Sequence, residues 1–234
     1  MSDLYIAGYW GPRDEAVEAC ASRLVSFLSN IGECDPLLRH WRQKAQTRAA
    51  AGTLALDCGS LSEAVALLRS GRARNDSDGS QIRDLGFHAG LWNGEAKGKS
   101  AGLAVTCGLS SSNINLRNSV VVNIPDDFDA QTSTPIFLSI LQNIITAWDP
   151  DWGGVISRSS RECRKYSPQF PFVDWMVYIR GCVINTSALP ASADIVGIGG
   201  HSPIIVVQPT PISPLGEEAL SNVKAVEKAL SLRI

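Results

Sequence analysis

The stretch Trp148-Asp149-Pro150-Asp151-Trp152 directs the chain out of a helix and into the segment that follows. Proline holds its own φ at about −65°, lacks an N–H donor and disfavours the helical conformation of the residue before it. We therefore expect a helix to end rigidly here, with two indoles and two carboxylates held in a fixed relation. Two interpretations stay open: both tryptophans are core residues and both aspartates lie in a solvated turn, or the stretch is part of a recognition surface.

The sequence before this stretch indicates a buried helix. Thr134-Pro135 places a capping residue before a proline at the first helical position, which is a start signal. Apolar residues then recur at helical spacing as far as Trp148. Other helices are predicted over residues 15–30 and 61–69, ending at Gly32 and Gly71, and from Ser213-Pro214 onward.

Strands are predicted between these helices. They fall at residues 4–9, 87–92, 103–107, 118–124, 154–157, 175–180 and 204–208. The apolar run Val120-Val121-Val122 indicates a central strand that is covered on both faces. Because helices and strands come in groups and not in alternation, we predict one α+β domain over residues 1–234, with a mainly antiparallel central sheet and helices packed on it.

Composition limits the class of protein. The chain has 234 residues, of which 44% are hydrophobic and 19% charged, as is ordinary for a globular protein with a sizeable core. The net charge of −2 argues against direct nucleic-acid binding, which depends on Lys and Arg, and permits a basic protein partner. The sequence contains neither a membrane span nor a secretory signal pattern, so we expect a cytoplasmic protein.

Patterns typical of catalysis, of metal binding or of cofactor binding are weak. The loop at residues 94–100 has three residues between its glycines, whereas a phosphate-binding loop needs four. The six cysteines form no CxxC pair, and the three histidines lie in separate regions, so we predict no metal and no cofactor. A small hydrolase or ligand-binding enzyme that uses the glycine-rich loop from Gly197 to His201 stays open as the alternative function.

Two groups of carboxylates and one indole are candidates for contact with a partner protein. This candidate set consists of Asp126, Asp127, Asp129, Asp149, Asp151 and Trp152. The first three aspartates lack the glycine turn and the distant glutamate of a calcium loop, which leaves a solvated loop or a charged contact surface as the main interpretations. The tryptophan is a candidate anchor, because tryptophan is enriched among residues that dominate binding energy.

Five short strings of sequence resemble the immunity protein 52 family in their order and spacing. They are Tyr5-Ile6-Ala7-Gly8-Tyr9-Trp10-Gly11-Pro12-Arg13, Asp84-Leu85-Gly86-Phe87, Leu91-Trp92-Asn93-Gly94, the stretch from Trp148 to Trp152, and Asp174-Trp175-Met176-Val177-Tyr178. The resemblance runs from residue 5 to about residue 207. One departure is that Asp174 precedes Trp175 where the family pattern has glycine, which bears on the turn before the strand.

The resemblance implies a non-enzymatic protein of bacterial polymorphic toxin and type VI secretion systems, which binds and neutralises a toxin encoded beside it. The usual partner of the family is similar to a nuclease toxin of the restriction-endonuclease type. The implied mechanism is stoichiometric protein–protein binding, in which acidic residues would meet the Lys and Arg that a nuclease presents to phosphate. Occlusion of the toxin's active site, obstruction of substrate entry and obstruction of toxin assembly all stay open as modes of inhibition.

Overall fold

The computed structural model describes residues 3–43, 54–129, 133–164, 166–167, 169–212 and 216–232. Within these ranges ten strands form one antiparallel sheet in the order β3-β2-β4-β5-β6-β1-β7-β8-β10-β9. The strands are β1 (Leu4–Trp10), β2 (Trp41–Gln43), β3 (Ala55–Leu56), β4 (Phe87–Trp92), β5 (Gly102–Cys107), β6 (Asn118–Asn123), β7 (Trp152–Ser157), β8 (Met176–Ile179), β9 (Asp194–Ile198) and β10 (His201–Val206). The helices are α1 (Val17–Cys34), α2 (Leu61–Ser70), α3 (Thr134–Trp148), α4 (Arg158–Cys163) and α5 (Glu217–Ala229). The predicted α+β class with an antiparallel sheet is confirmed.

The first strand, β1, lies inside the sheet and is buried at every position. Side chains alternate between the two faces of a strand, so β1 contributes to two separate cores. Ile6 and Trp10 belong to the large core, which includes apolar residues of α1 and α3. Tyr9 belongs to a smaller cluster on the opposite face, together with Trp152 and Phe172. The sheet is therefore covered on both faces at its centre.

The long helix α3 packs very close to β1. A Cβ atom at Gly8 would lie 2.6 Å from Cγ2 of Ile144, and a Cβ atom at Gly153 would lie 2.7 Å from the carbonyl oxygen of Ala7. Both distances are shorter than van der Waals contact, so glycine is required where the helix and the neighbouring strand approach this closely.

Several sequence-based expectations differ from the structure. Gly32 does not end α1, which continues to Cys34; a Cβ atom at Gly32 would lie 3.3 Å from Cα of Arg39, so the glycine makes room for the chain that packs on the helix. The strand at Val120–Val122 is central, as predicted, but its second face is covered only in part: Val121 is half-buried and packs against the smaller cluster, which lies mainly over β1 and β7.

Short elements were not predicted from the sequence. These are β2, β3, β9 and α4, each of which is six residues or shorter. The predicted start of the last helix at Ser213-Pro214 lies outside the described residues, and α5 is described from Glu217. Among the helices that the structure describes, none combines the length and the apolar character needed to cross a membrane.

Candidate interaction surface

The stretch from Trp148 to Trp152 makes a tight connection between α3 and β7. The helix ends at Trp148, as predicted, and Asp149 takes a left-handed conformation with φ 46° while its N–H donates to the carbonyl of Ile145. A positive φ is uncommon outside glycine, although aspartate tolerates it better than most residues. Asp151 then donates its N–H to the carbonyl of Tyr9 over 2.9 Å, which places it at the end of β1.

The two carboxylates of this connection belong to an ion network. The Arg180 guanidinium lies 3.0 Å from Oδ2 of Asp149 and also contacts Oδ1 of Asp151. Arg13 and Arg117 approach Asp149 and Asp151, respectively, to 3.9 Å. Three guanidinium groups thus face two carboxylates, so the network itself carries one excess positive charge and is not an acidic patch.

The end of β1 and the exit of α3 are also joined by hydrogen bonds. Arg13 donates from Nη1 to the carbonyl of Trp148 over 3.1 Å and from Nη2 to that of Asp149 over 2.9 Å. These donors satisfy carbonyls that a helix end leaves unpaired. The N–H of Gly11 donates to Oδ2 of Asp151 over 2.8 Å. Two strings of the family pattern, far apart in the sequence, therefore form one structural unit.

Both tryptophans of the connection are buried. Trp148 has no exposed surface and packs on Trp10 and Phe27, with ring centroids 5.7 and 6.3 Å away. Trp152 is 2% exposed and stacks on Tyr9 at 4.5 Å. In this structure Trp152 supports the backbone beside Asp151, and its direct contact with a partner stays a prediction.

The acidic loop formed by Asp126, Asp127 and Asp129 is exposed and follows β6. The N–H of Asp127 donates to the carbonyl of Gly98 over 2.9 Å. A Cβ atom at Gly98 would lie 2.6 Å from Oδ1 of Asp127, so the carboxylate packs on this glycine. The glycine-rich loop at residues 94–100 joins two antiparallel strands and is a hairpin connection.

The structure does not bring the two acidic groups together. The end of β6 that leads to the acidic loop pairs with Tyr5, whereas Trp152 pairs with Tyr9. At about 3.3 Å per residue, these positions are roughly 13 Å apart along β1, and the loops extend the separation further. The exposed acidic loop and the ion network thus occupy opposite ends of the central strands.

The loop of the alternative function, from Gly197 to His201, is the turn between β9 and β10. His201 is half-buried at the start of β10 and pairs with Ile198. Among the hydrogen bonds of the described residues, His201 has no serine or cysteine partner. Nor does the described part of the chain contain a cluster of three or more His, Cys, Asp or Glu side chains that could hold a metal ion.

A group of arginines stacked on aromatic rings was not identified from the sequence. Arg158 and Arg161 lie over the ring of Tyr5 at 5.2 and 5.6 Å, and Arg161 also lies over Tyr166 at 4.8 Å. The sequence feature that could have predicted this group is the spacing of three residues between Arg158 and Arg161, which places both side chains on one face of a helix. This group packs on the second face of the sheet, beside the smaller cluster.

Asp174, the departure from the family pattern, is a buried acid. Its Oδ2 accepts the backbone N–H of Ser157 over 2.8 Å, and its Oδ1 has no hydrogen-bond partner among the described residues. Burial raises the pKa of the Asp174 carboxyl to about 6, although the Ser157 N–H and the Arg164 guanidinium act in the opposite direction. The carboxylate joins the end of β7 to the turn before β8, and β8 forms as predicted from Met176.

The ten-stranded antiparallel sheet with helices packed on it places the chain in the α+β class. The fold is similar to that of the Pseudomonas aeruginosa T6SS protein PA0821, with a TM-score of 0.54 and 13% identity over 97% of this chain and 75% of that chain. At this level of identity the likeness concerns the fold alone. A search of curated proteins found no match.

The family model for immunity protein 52 matches residues 3–230, and the chain belongs to that family. The resemblance seen in the five sequence strings is therefore confirmed over nearly the whole chain. Membership gives the protein an immunity role, and the partner of an immunity protein is a cognate toxin.

Proposed function

We propose that this immunity protein neutralises a nuclease toxin of the restriction-endonuclease type by forming a stoichiometric complex with it in the cytoplasm. The observation that carries the proposal is the match to the immunity protein 52 family over residues 3–230. The likeness of the fold to a T6SS protein supports a toxin delivered by type VI secretion. Among the described residues His201 has no serine or cysteine hydrogen-bond partner. The structure therefore offers no support for the alternative of a hydrolase.

Inhibition by binding requires a complex that forms quickly and dissociates slowly. A nuclease needs Lys and Arg to hold phosphate, so its surface attracts an acidic partner over a distance of about 10 Å at moderate ionic strength. Asp126, Asp127 and Asp129 are exposed on one loop and could supply this attraction. Asp149 and Asp151 already face arginines, so they would contribute through an ion network that the toxin extends or rearranges.

The proposed function is tested by titrating the purified protein with the product of the neighbouring toxin gene. We expect a 1:1 complex and loss of DNA cleavage when one equivalent has been added, since stoichiometric binding leaves no free toxin. An unrelated nuclease serves as the control and should stay active. Absence of a complex, or turnover of a small substrate by the isolated protein, would argue for the enzymatic alternative.

The acidic loop is tested by reversing its charges. We expect Asp126→Lys combined with Asp129→Lys to slow association with the toxin about 10-fold at low salt, because steering depends on the charges of both partners. The salt dependence of the association rate should fall as well. The measurement is stopped-flow association over a series of salt concentrations.

The matched control reverses two charges in another exposed loop, through Asp76→Lys and Asp78→Lys. This double variant changes the net charge equally and should keep more of the wild-type rate. If both double variants associate at the wild-type rate with the wild-type salt dependence, the acidic loop has no part in steering.

A further inference from the structure

The three most exposed large apolar side chains of the described residues belong to loops at one end of the sheet. Among the residues that the structure describes, six such side chains are exposed: Leu54, Leu61, Ile114, Phe170, Val183 and Ile195. Phe170 is 66% exposed, Ile114 71% and Val183 87%. These three belong to loops at the end of the sheet where β1 finishes and β7 begins, which is also the end that carries the ion network.

Hydrogen bonds join the loop that carries Phe170 to the loop that carries Ile114. The side chain of Gln169 donates from Nε2 to Oδ1 of Asn115 over 2.9 Å, and each apolar residue directly adjoins one partner of this bond in the chain. Arg117 donates from Nη2 to the carbonyl of Gln169 over 3.2 Å. The loop that carries Phe170 is thus fixed to the loop that carries Ile114.

The same contacts extend to the ion network, and Val183 follows that network closely in the chain. The guanidinium of Arg117 that holds the Gln169 carbonyl also lies 3.9 Å from Asp151. Asp151 accepts the N–H of Arg180 over 2.9 Å at its carbonyl, and Val183 follows three residues later. We call the ion network and these exposed apolar residues together the Phe170 surface; it consists of Arg13, Arg117, Asp149, Asp151, Arg180, Ile114, Phe170 and Val183.

The composition of the Phe170 surface is typical of a protein-binding site. Single exposed apolar residues are ordinary, but here three belong to loops that adjoin a group of arginines and aspartates. Binding sites combine a few large apolar or aromatic anchors with arginine and a polar rim. Phe170 has the largest apolar side chain of the three, and burying its ring against a partner would remove the most apolar area from water.

We propose that the Phe170 surface is where the cognate toxin docks, with Phe170 inserted into an apolar pocket of the toxin; this rests on the proposed function. The three guanidinium groups of the network outnumber its two carboxylates, so the complementary toxin surface carries carboxylates near that pocket. Such a surface differs from the basic cleft in which a nuclease holds phosphate. Docking therefore occurs beside the toxin's active site and not through imitation of nucleic acid.

The two ends of the central strands then have separate effects on the complex. The acidic loop acts over a distance and affects the association rate, whereas Phe170 makes direct contact and affects the dissociation rate. An interface of roughly 800 Å² on each partner is ordinary for a specific complex and is large enough to include the whole Phe170 surface.

The test is the affinity of Phe170→Ala for the purified product of the neighbouring toxin gene. We expect the Kd to rise about 30-fold or more, almost entirely through faster dissociation, as for a residue that dominates an interface. Phe170→Leu should keep most of the affinity because it stays apolar. Leu61→Ala is the matched control: Leu61 is 48% exposed at the start of α2, and its loss should leave the Kd within about 2-fold of wild type.

The possible results distinguish a failure of the docking surface from a failure of the proposed function. Phe170 is exposed, so the alanine variant should unfold at the wild-type temperature, and its lost affinity reports on contact and not on folding. A tight wild-type complex that Phe170→Ala leaves unchanged overturns the docking surface alone. A wild-type protein that forms no complex overturns the proposed function as well. A homodimer of the isolated protein that Phe170→Ala dissociates would show that a second copy occupies this surface, and would overturn the proposal.

Discussion

Replacing Trp148 with alanine is expected to lower the free energy of unfolding by about 3–5 kcal/mol. The indole has no exposed surface and contacts rings of Trp10 and Phe27, so its removal leaves a cavity between β1, α1 and α3. Its N–H has no hydrogen-bond partner among the described residues, so the loss comes from packing and not from a broken hydrogen bond. The measurement is equilibrium unfolding in urea.

Two further variants show whether packing is the cause. Trp148→Phe should recover more than half of the loss, because the phenyl ring fills much of the cavity. Trp92→Ala is a matched control, since Trp92 is a half-buried tryptophan in β4, and it should be much less destabilising. A loss below about 1 kcal/mol for Trp148→Ala would contradict a central role of this ring in the core.

Replacing Asp174 with asparagine is expected to change the pH dependence of stability. Burial raises the pKa of the folded carboxyl to about 6, whereas an unfolded aspartate titrates near its ordinary value of about 3.9. Between these values the folded protein holds a proton that the unfolded chain has released. Stability from this group is therefore complete below the unfolded pKa and is lost as the pH rises towards 6.

The expected size follows from the difference of about two pKa units. As the pH rises from about 4 to 7, the unfolding free energy of the wild type should fall by about 2–3 kcal/mol relative to that of Asp174→Asn. Above pH 7 the difference between the two proteins should stay constant. The asparagine can still accept the Ser157 N–H through its carbonyl group, and the Ser160 hydroxyl, which has no hydrogen-bond partner among the described residues, is available nearby. Urea unfolding at several pH values measures the difference.

The exposed Asp76 supplies the control for removing one carboxylate. Asp76→Asn should follow the pH profile of the wild type. If Asp174→Asn does so too, the Asp174 carboxyl titrates alike in the folded and unfolded protein, and its burial has no energetic consequence.

The ion network bears on how charge contributes to immunity. From the sequence alone, Asp149 and Asp151 suggest an acidic surface. In the structure both carboxylates face arginines that come from three other segments of the chain. Exposed ion pairs of this kind contribute little to stability. We expect their value to lie in recognition, with the toxin meeting a network of three guanidinium groups and two carboxylates at one end of the sheet and an acidic loop at the other.

Long elements with strong local signals were predictable from the order of residues along the chain. The start at Thr134-Pro135 and the apolar spacing up to Trp148 reproduce the bounds of α3, and alternation reproduces β4 at Phe87–Trp92. Such signals arise because neighbouring residues on one helix or strand face the same environment. The family resemblance added the immunity role, which periodicity alone cannot supply.

Contacts between distant segments were decided only by tertiary packing. Nothing near Asp151 in the sequence indicates that Arg117 and Gly11 contact its carboxylate, because these residues meet only once β1, β6 and β7 pair. The same packing buries Trp152 beneath the second face and leaves Phe170 exposed, although both are aromatic. Burial depends on which segments cover a residue, and a loop's local sequence does not carry that information.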